Sequence, residues 1–384
     1  MLDVAIVGGG LCGLALAHSL HARRTGWALF EARPQLGGRV RTATGEGGVP
    51  LDLGPTWYWP ATQPSITGLV ADLGLASLPQ PDDGRLRLLD DPNRAPLTLA
   101  FDAATGRLSA DPSAPATPGA VHGGARRLAG GMAALVQALA SRLPAQCLHT
   151  GQVLAGLQDQ GDHVALAFAD GRRVPARRVV LALPPRLVAS RLHLQPALPD
   201  ALQQALQATP TWMATAAKAA AVCARAPWRE AGESGNAWVT HPQAVLAEVF
   251  DASTSTSGPP ALAGFVALAA SRRGPFRASL PLLVDSQITM LFGQEAAPGT
   301  VHLADWATEP HTCSDQDLAD DARGSQQHPP PADRLITQPL WGGRLWLGGS
   351  ETASQHCGYL EGALRAAARL RQALAPVASA GTPA

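Results

Sequence analysis

The chain has 384 residues, 46% of them hydrophobic, with thirty basic side chains balanced by thirty acidic ones. That length allows two domains with real cores. The even balance and the lack of a dense basic block argue against nucleic acid or an anionic membrane as partner. Five scattered cysteines with no CxxC pair argue against a disulfide framework or a zinc site and fit a reducing compartment. The longest apolar run, residues 261–270, is about half of a membrane span. The chain opens on a strand pattern with no room for a signal peptide, and "VASAGTPA" at 377–384 carries no hydrophobic anchor, so the expectation is a soluble, cytoplasmic protein.

In chain order, "LDVAIVGGGLCGLALAHSL" reads as a buried strand, a glycine turn and a helix, and "WALFEA" follows as a second strand, a βαβ opening. Residues 60–122 are rich in Pro, Asp and Gly, and "DPSAPATPGA" within them reads as a loop. "RRLAGGMAALVQALASRL" is a glycine turn and a helix. "HVALAFADGRRV" is a hairpin turning at Asp170-Gly171. "ARRVVLALPP" is a strand stopped by two prolines, and "ALQQALQAT" is helical. Short strands alternate with loops over 218–265, with "STSTSG" at 253–258 as a turn. "LLVDSQITMLFG" is an amphipathic helix closed by Gly293. "QQHPPPAD" at 326–333 is a linker, "RLWLGGSE" a strand entering a turn, and "GYLEGALRAAARLRQAL" a final helix.

Gly8, Gly10 and Gly13 form GxGxxG between a strand and a helix. Gly8 permits the tight turn, Gly10 lets backbone approach a pyrophosphate, and Gly13 lets helix and strand pack closely. The helix N-terminus offers N–H groups and partial positive charge to phosphates. Glu31 ends the second strand, where a carboxylate can accept hydrogen bonds from a ribose. The fingerprint points to a dinucleotide without choosing between FAD and NAD. "EARPQLGGRVRT" follows at once, so that Ala32 and Arg33 lead to Gly38 and Arg39, a second turn able to grip phosphate.

That last pattern resembles the flavoprotein family of amine oxidases and related FAD-dependent oxidases, and the resemblance covers most of the chain. "LDLGPTWYW", with Gly54, Pro55 and Thr56, resembles the family segment where backbone passes the flavin. "LAGGMAALVQAL" and "VVLALPP" resemble further family elements, and Val153 is similar to the residue whose backbone holds adenine. "LWLGGSETASQHCGYLEGALRAA" resembles the C-terminal FAD motif, which implies cofactor contacts from Gly349 and Glu351. The resemblance implies an α/β fold: a Rossmann-like FAD-binding domain of glutathione-reductase type, with a second substrate domain of mixed sheet plus helices. The expected division is 1–58, 123–199 and 308–384 for the FAD domain, and 59–122 with 200–307 for the substrate domain.

Lys218 is the one lysine in the chain; the other twenty-nine basic residues are arginine. A buried lysine can shift its pKa and lose its charge, which arginine cannot do. "KAAAVCARAPWRE" resembles the family's active-site strand, which implies that Lys218 holds a water against the flavin N5. By the same resemblance Tyr359 is one wall of an aromatic cage that orients an amine, and Trp306 in "LADWATEP" packs beside the ring. The chain departs from the family in two places. "HTCSDQDLA" offers no second aromatic wall, leaving Trp57, Trp59, Trp212 or His356 as candidates, and the 60–122 insert is short. Cys313 is too close to Trp306 to match the family's flavin-linking cysteine, so non-covalent FAD is expected. Histidine spacing shows no metal pattern; His18 and His21 read as a solvated face.

The leading expectation is an FAD-dependent oxidoreductase that moves hydride from an amine to flavin N5, with oxygen or another electron acceptor. Lys218, Tyr359 and Trp306 would serve catalysis, and Trp57, Tyr359 and His356 would contact substrate. The alternatives are an FAD-dependent desaturase or dehydrogenase of an apolar metabolite, and a catalytically silent flavin-binding module. The sequence leaves the oligomeric state open.

Overall fold

A computed structural model describes residues 1–255, 257–325 and 327–375. Thr256 in the expected 253–258 turn, Gln326 in the expected linker and the tail at 377–384 lie outside the described residues. The chain divides into two units. The first comprises Met1–Leu36, Leu139–Trp212 and His328–Ala384; the second comprises Gly37–Ala138 and Met213–Gln327.

In the first unit, Leu2–Val7 leads into the helix Leu11–Ala22 and then the strand Trp27–Phe30. Leu2–Val7 pairs in parallel with both Trp27–Phe30 and Arg173–Leu181. The last four residues of Leu2–Val7 and all of Trp27–Phe30 are buried, as an apolar run covered on both faces requires. The sheet runs Leu148–His149, Trp27–Phe30, Leu2–Val7, Arg173–Leu181, Val164–Phe168, Leu154–Asp159 and His193–Gln195. Leu345–Leu347 also pairs with Arg173–Leu181. The hairpin turns where Asp170-Gly171 places it, with Gly171 at φ 86°. The core gathers Ala5, Val7, Phe30, Val179, Leu181 and Leu345, and the final helix, Leu360–Ala373, packs against Leu11–Ala22.

The second unit holds another eight-stranded sheet, ordered His302–Asp305, Ala217–Val222, Ala261–Val266, Leu246–Asp251, Glu233–Val239, Arg85–Leu89, Leu97–Asp102 and Arg107–Ser109. The last three strands come from the Pro- and Gly-rich stretch at 60–122, which also holds the helix Pro64–Asp72. Turn residues dominate that composition and hide these strands, of which Arg85–Leu89 pairs with Glu233–Val239 far along the chain and the other two pair with their chain neighbours. "DPSAPATPGA" forms neither helix nor strand. The strand Ala217–Val222 is buried throughout because both faces are covered. Ala219 and Cys223 join a core with Val284, Ile288 and Leu291 of the helix Leu280–Phe292. Ala220 and Val222 join another with Leu51, Leu53, Phe250 and Trp306. Alternation puts Lys218 on the second face, and the flanking alanines leave room there for larger neighbours.

Among the described residues no helix is long and apolar enough to cross a membrane, and no group of three His, Cys, Asp or Glu side chains is placed to hold a metal ion.

Candidate active site

The first unit builds a backbone cradle. Gly10 caps the first helix without a side-chain hydrogen bond, and no acid occupies the first turn, so positive potential is left unanswered there. Gly8 has φ 106°, and a Cβ on it would strike the Ala182 carbonyl oxygen. A Cβ on Gly13 would strike the Gly8 carbonyl oxygen. Both glycines are therefore required by close approach of backbone to backbone. The buried Glu31 carboxylate accepts N–H groups from Gly9 at 2.6 Å and Arg33 at 2.9 Å, which fixes the turn through Ala32. The residues before Val153 run alongside: Gly151 N–H donates to the Arg33 carbonyl, and Gln152 N–H to that of Glu31. Val153 itself is 38% exposed. Gly349 N–H reaches Cys12 Sγ at 3.3 Å, bringing the C-terminal glycine turn to the start of the first helix. Glu31, Arg33, Val153 and Gly349 thus cluster around the fingerprint, the arrangement a dinucleotide needs.

Glu351 is fully buried and accepts from the Ser350 hydroxyl at 2.8 Å and from Trp212 N–H at 3.3 Å. Trp212 is held a second way. Gly358 has φ 80°, and a Cβ on it would run into the Trp212 side chain. Tyr359 is the N-cap residue of the final helix, with its ring centroid 6.3 Å from that of Trp212 and 6.5 Å from that of His356. His328 completes the cluster at 4.5 Å from Trp212 and 5.2 Å from Tyr359. Among the proposed second walls, Trp212 and His356 therefore adjoin Tyr359. His328 escaped the sequence reading because it sits in a proline-rich stretch with no periodicity.

The second unit carries the lysine. Lys218 is 2% exposed. Its ammonium donates to the Gly54 carbonyl at 3.1 Å and to the Thr56 hydroxyl. Nζ lies 5.8, 5.2 and 5.4 Å from the ring centroids of Trp57, Phe250 and Phe265. Burial is the main cause that lowers its pKa from 10.5 to about 8; Arg127 pushes the same way, and the Asp52 and Glu248 carboxylates oppose it. The peptide around Gly54 is braced from several sides. The Trp306 indole N–H donates to the Leu53 carbonyl at 2.9 Å, and a Cβ on Gly54 would collide with the Arg39 carbonyl oxygen. The turn before Arg39 uses Gly37 and Gly38 at φ 122° and 58°. Pro55 links Gly54 and Thr56, the two residues that hold the ammonium. Phe250 and Phe265 escaped the sequence reading because strand aromatics look like ordinary core until strand pairing sets them opposite a lysine.

A family model described as flavin containing amine oxidoreductase matches residues 118–371, and one described as an NAD(P)-binding Rossmann-like domain matches residues 6–73. A Mycobacterium tuberculosis protein named as a flavin-containing monoamine oxidase is 38% identical over 84 residues, 22% of this chain and 18% of that one. A flavin-containing amine oxidase of Oncorhynchus mykiss is 22% identical over 96% of this chain and 84% of its own length. The chain thus spans less than a fifth of the first of these relatives. In overall fold it is similar to a putrescine oxidase solved with putrescine, with TM-score 0.76 and 20% identity over 97% of this chain and 98% of that one. A cyclohexylamine oxidase from Brevibacterium oxydans gives 0.74 with the same identity and coverage. With the family model covering most of the chain, the glycine cradle and the lysine strand have a common explanation: the chain belongs to the family of flavin-containing amine oxidoreductases.

Proposed function

We propose that the chain oxidises an amine, with non-covalently bound FAD as its cofactor and molecular oxygen as the final electron acceptor. The observation that carries the reading is Lys218: a buried ammonium, held by one carbonyl and one hydroxyl among three aromatic rings. Gly8, Gly10 and Gly13 with the first helix would hold the pyrophosphate, Glu31 with Ala32 and Arg33 the ribose, and the Val153 backbone the adenine. Gly38, Arg39, Gly54, Pro55, Thr56, Gly349 and Glu351 would line the remainder. The cradle fits such a group because Gly8 and Gly13 let the turn close tightly and the first helix begins at Gly10 with no side-chain cap and no acid in its first turn. Bound FAD supplies a two-electron acceptor for the hydride on the amine's α-carbon.

The protein's own part is positioning and charge. Lys218 has three N–H donors and two protein acceptors, so one donor remains for a water. With a pKa of about 8, the group carries its proton at neutral pH and gives it up at little cost. A fixed positive charge in a dry setting favours negative charge that develops beside it, as when oxygen is reduced. Trp306 keeps the Leu53–Gly54 peptide in place and so positions the lysine's carbonyl partner. Tyr359, flanked by Trp212 and His356, offers ring faces to an amine nitrogen, and Trp57 offers another beside Lys218. The similarity to the fish amine oxidase, the putrescine oxidase and the cyclohexylamine oxidase supports an amine as substrate.

The test is a visible spectrum of the purified protein before and after anaerobic addition of pooled primary amines. A yellow protein bleached by an amine supports the reading. A yellow protein that stays oxidised with every amine overturns it in favour of a dehydrogenase or a silent flavoprotein. A colourless protein that takes up no added FAD overturns the flavin assignment.

A further inference from the structure

Lys218 has two unlike partners. The Gly54 carbonyl can only accept a hydrogen bond, whereas the Thr56 hydroxyl can accept or donate. An ammonium has no lone pair, so Thr56 Oγ1 must be the acceptor while Lys218 is charged. The hydroxyl's own proton then has no acceptor among the described residues, although Thr56 is only 4% exposed. No other bond within the protein is broken when that hydroxyl turns about Cβ–Oγ1.

A lysine that gives up its proton has the opposite need. The neutral amine keeps two N–H groups and gains a lone pair, which requires a donor. No other protein neighbour supplies one. Phe250 and Phe265 carry no polar side-chain atom, and the Trp57 indole N–H is already given to Gln80 Oε1 at 2.8 Å. The charged side chains that face Lys218 are Asp52, Arg127 and Glu248, and none forms an ion pair or hydrogen bond with it. Asp52 accepts from the Thr42 hydroxyl at 2.6 Å and Met132 N–H at 2.8 Å. Arg127 donates to the Ser253 carbonyl, and Glu248 lies 3.7 Å from His122 Nε2. A third of a turn about Cε–Nζ would bring the lone pair round to Thr56, whose hydroxyl can then donate to it. One proton leaves Nζ for the negative charge that builds as oxygen is reduced, and one returns from solvent water. The lysine itself is neither oxidised nor reduced.

We infer that Thr56 is a positioning residue for Lys218: its hydroxyl reverses the sense of one hydrogen bond and so holds Nζ in place both with and without the proton given to reduced oxygen. The inference rests on the amine-oxidation reading and adds the partner that lets its central side chain change charge without moving.

Because Lys218 is the one lysine of the chain, protein labelled isotopically at lysine Cε gives a single magnetic-resonance signal that titrates with this group. The wild-type midpoint is expected near 8. Thr56→Val keeps the shape of the side chain and removes the hydroxyl. A hydrogen bond is stronger from the charged group than from the neutral one, so the midpoint should fall by about one pH unit. Thr56→Ser should stay within about 0.3 unit, since the hydroxyl is kept. Reoxidation of dithionite-reduced, FAD-loaded protein by oxygen needs no amine. At pH 7 it should slow about tenfold in Thr56→Val and less than about twofold in Thr56→Ser. In a Lys218→Met background, Thr56→Val should add nothing, because it acts through the lysine. An unmoved midpoint in Thr56→Val overturns the inference, as does equal slowing with and without the lysine; amine oxidation stands in both cases. If Lys218→Met reoxidises at the wild-type rate, the lysine has no part in oxygen reduction and this inference falls with it. If no amine bleaches the flavin, the amine reading fails, while titration and reoxidation still decide the role of Thr56.

Discussion

The two units solve opposite physical problems with opposite materials. The cradle around Gly8 and Gly13 is made by removing side chains: backbone meets backbone, and the ligand would be held by N–H groups and a helix end. The face around Lys218 is made by adding side chains, an ammonium and three aromatic rings where a strand would otherwise carry only aliphatics. The first arrangement is intolerant of any extra atom. The second holds, at a cost in stability, a buried charge on which the proposed chemistry depends. Each prediction below sharpens that contrast or breaks it.

The largest effect is expected at the cradle. Gly13→Ala would place a methyl group onto the Gly8 carbonyl oxygen, a backbone atom that cannot swing aside. The variant is expected to lose about 3 kcal/mol or more of stability and to purify without yellow colour. A variant that retains flavin at wild-type stoichiometry and unfolds at the wild-type urea midpoint would show that the cradle has slack, and the contrast would fail.

At Lys218 activity and stability should move in opposite directions. Lys218→Met is expected to slow oxygen consumption about 100-fold, the scale of losing one positioned proton-bearing group. It should nevertheless stabilise the fold. The folded pKa of about 8 lies below the ordinary value of 10.5. Below pH 8 the folded chain therefore carries a buried charge that it would hold more easily unfolded, a penalty of about 3 kcal/mol. Between pH 8 and 10.5 the unfolded chain binds the extra proton, so wild-type stability climbs with pH across that window. Subtracting about 1 kcal/mol for the acceptors left by the lysine, Lys218→Met gains about 2 kcal/mol at pH 7, and the gain shrinks as pH rises from 8 to 10.5. Denaturant midpoints at pH 7 and pH 10 check this; an unchanged midpoint at pH 7 would mean that the ammonium is solvated.

The contrast also explains what could be read from the sequence. The cradle was legible because its parts are local: strand, three glycines, helix and acid lie within residues 2–31, and each glycine has a steric reason visible from spacing. Lys218 was legible through scarcity and the resemblance of its strand. Its neighbours were not. Phe250 and Phe265 reach it through strand pairing across dozens of residues, and no local pattern encodes which strands pair. The strands at 85–109 were missed for a related reason: they complete a sheet whose other strands lie beyond residue 216, and their own prolines and aspartates read as loop. Trp306 stood between a cofactor role and a core role; the structure gives its indole N–H to the Leu53 carbonyl, a task either role would share.

That bond supplies a smaller prediction. Trp306→Phe keeps a ring and deletes the donor, leaving a buried carbonyl unpaired at a cost of about 1–3 kcal/mol. Because the Gly54 carbonyl that holds Lys218 is the next one along, the amine KM should change little while kcat falls severalfold. A drop in stability with kcat intact would confine Trp306 to the core.

The smallest effect tests whether the ring cluster in the first unit is built by fit, as the cradle is, or by simple apolar crowding. Gly358 has φ 80°, so Gly358→Ala carries a backbone cost of about 1–2 kcal/mol in any background. In the wild-type background it carries a second cost, because the new methyl runs into the Trp212 side chain. Trp212→Gly removes the obstacle, whose nearest atom is the Trp212 Cβ, and leaves only the backbone term. If Trp212 is seated against bare backbone, the two losses are not additive: the double variant should be less destabilised than the sum by about 1 kcal/mol, the scale of coupling between touching residues. If the losses simply add, the backbone that carries Trp212 gives way at no cost and Tyr359 has no fixed second wall. Coupling of the expected size would instead mean that a glycine in the final FAD motif serves to seat an aromatic ring, so that the subtraction of side chains which shapes the cradle also shapes the ring cluster.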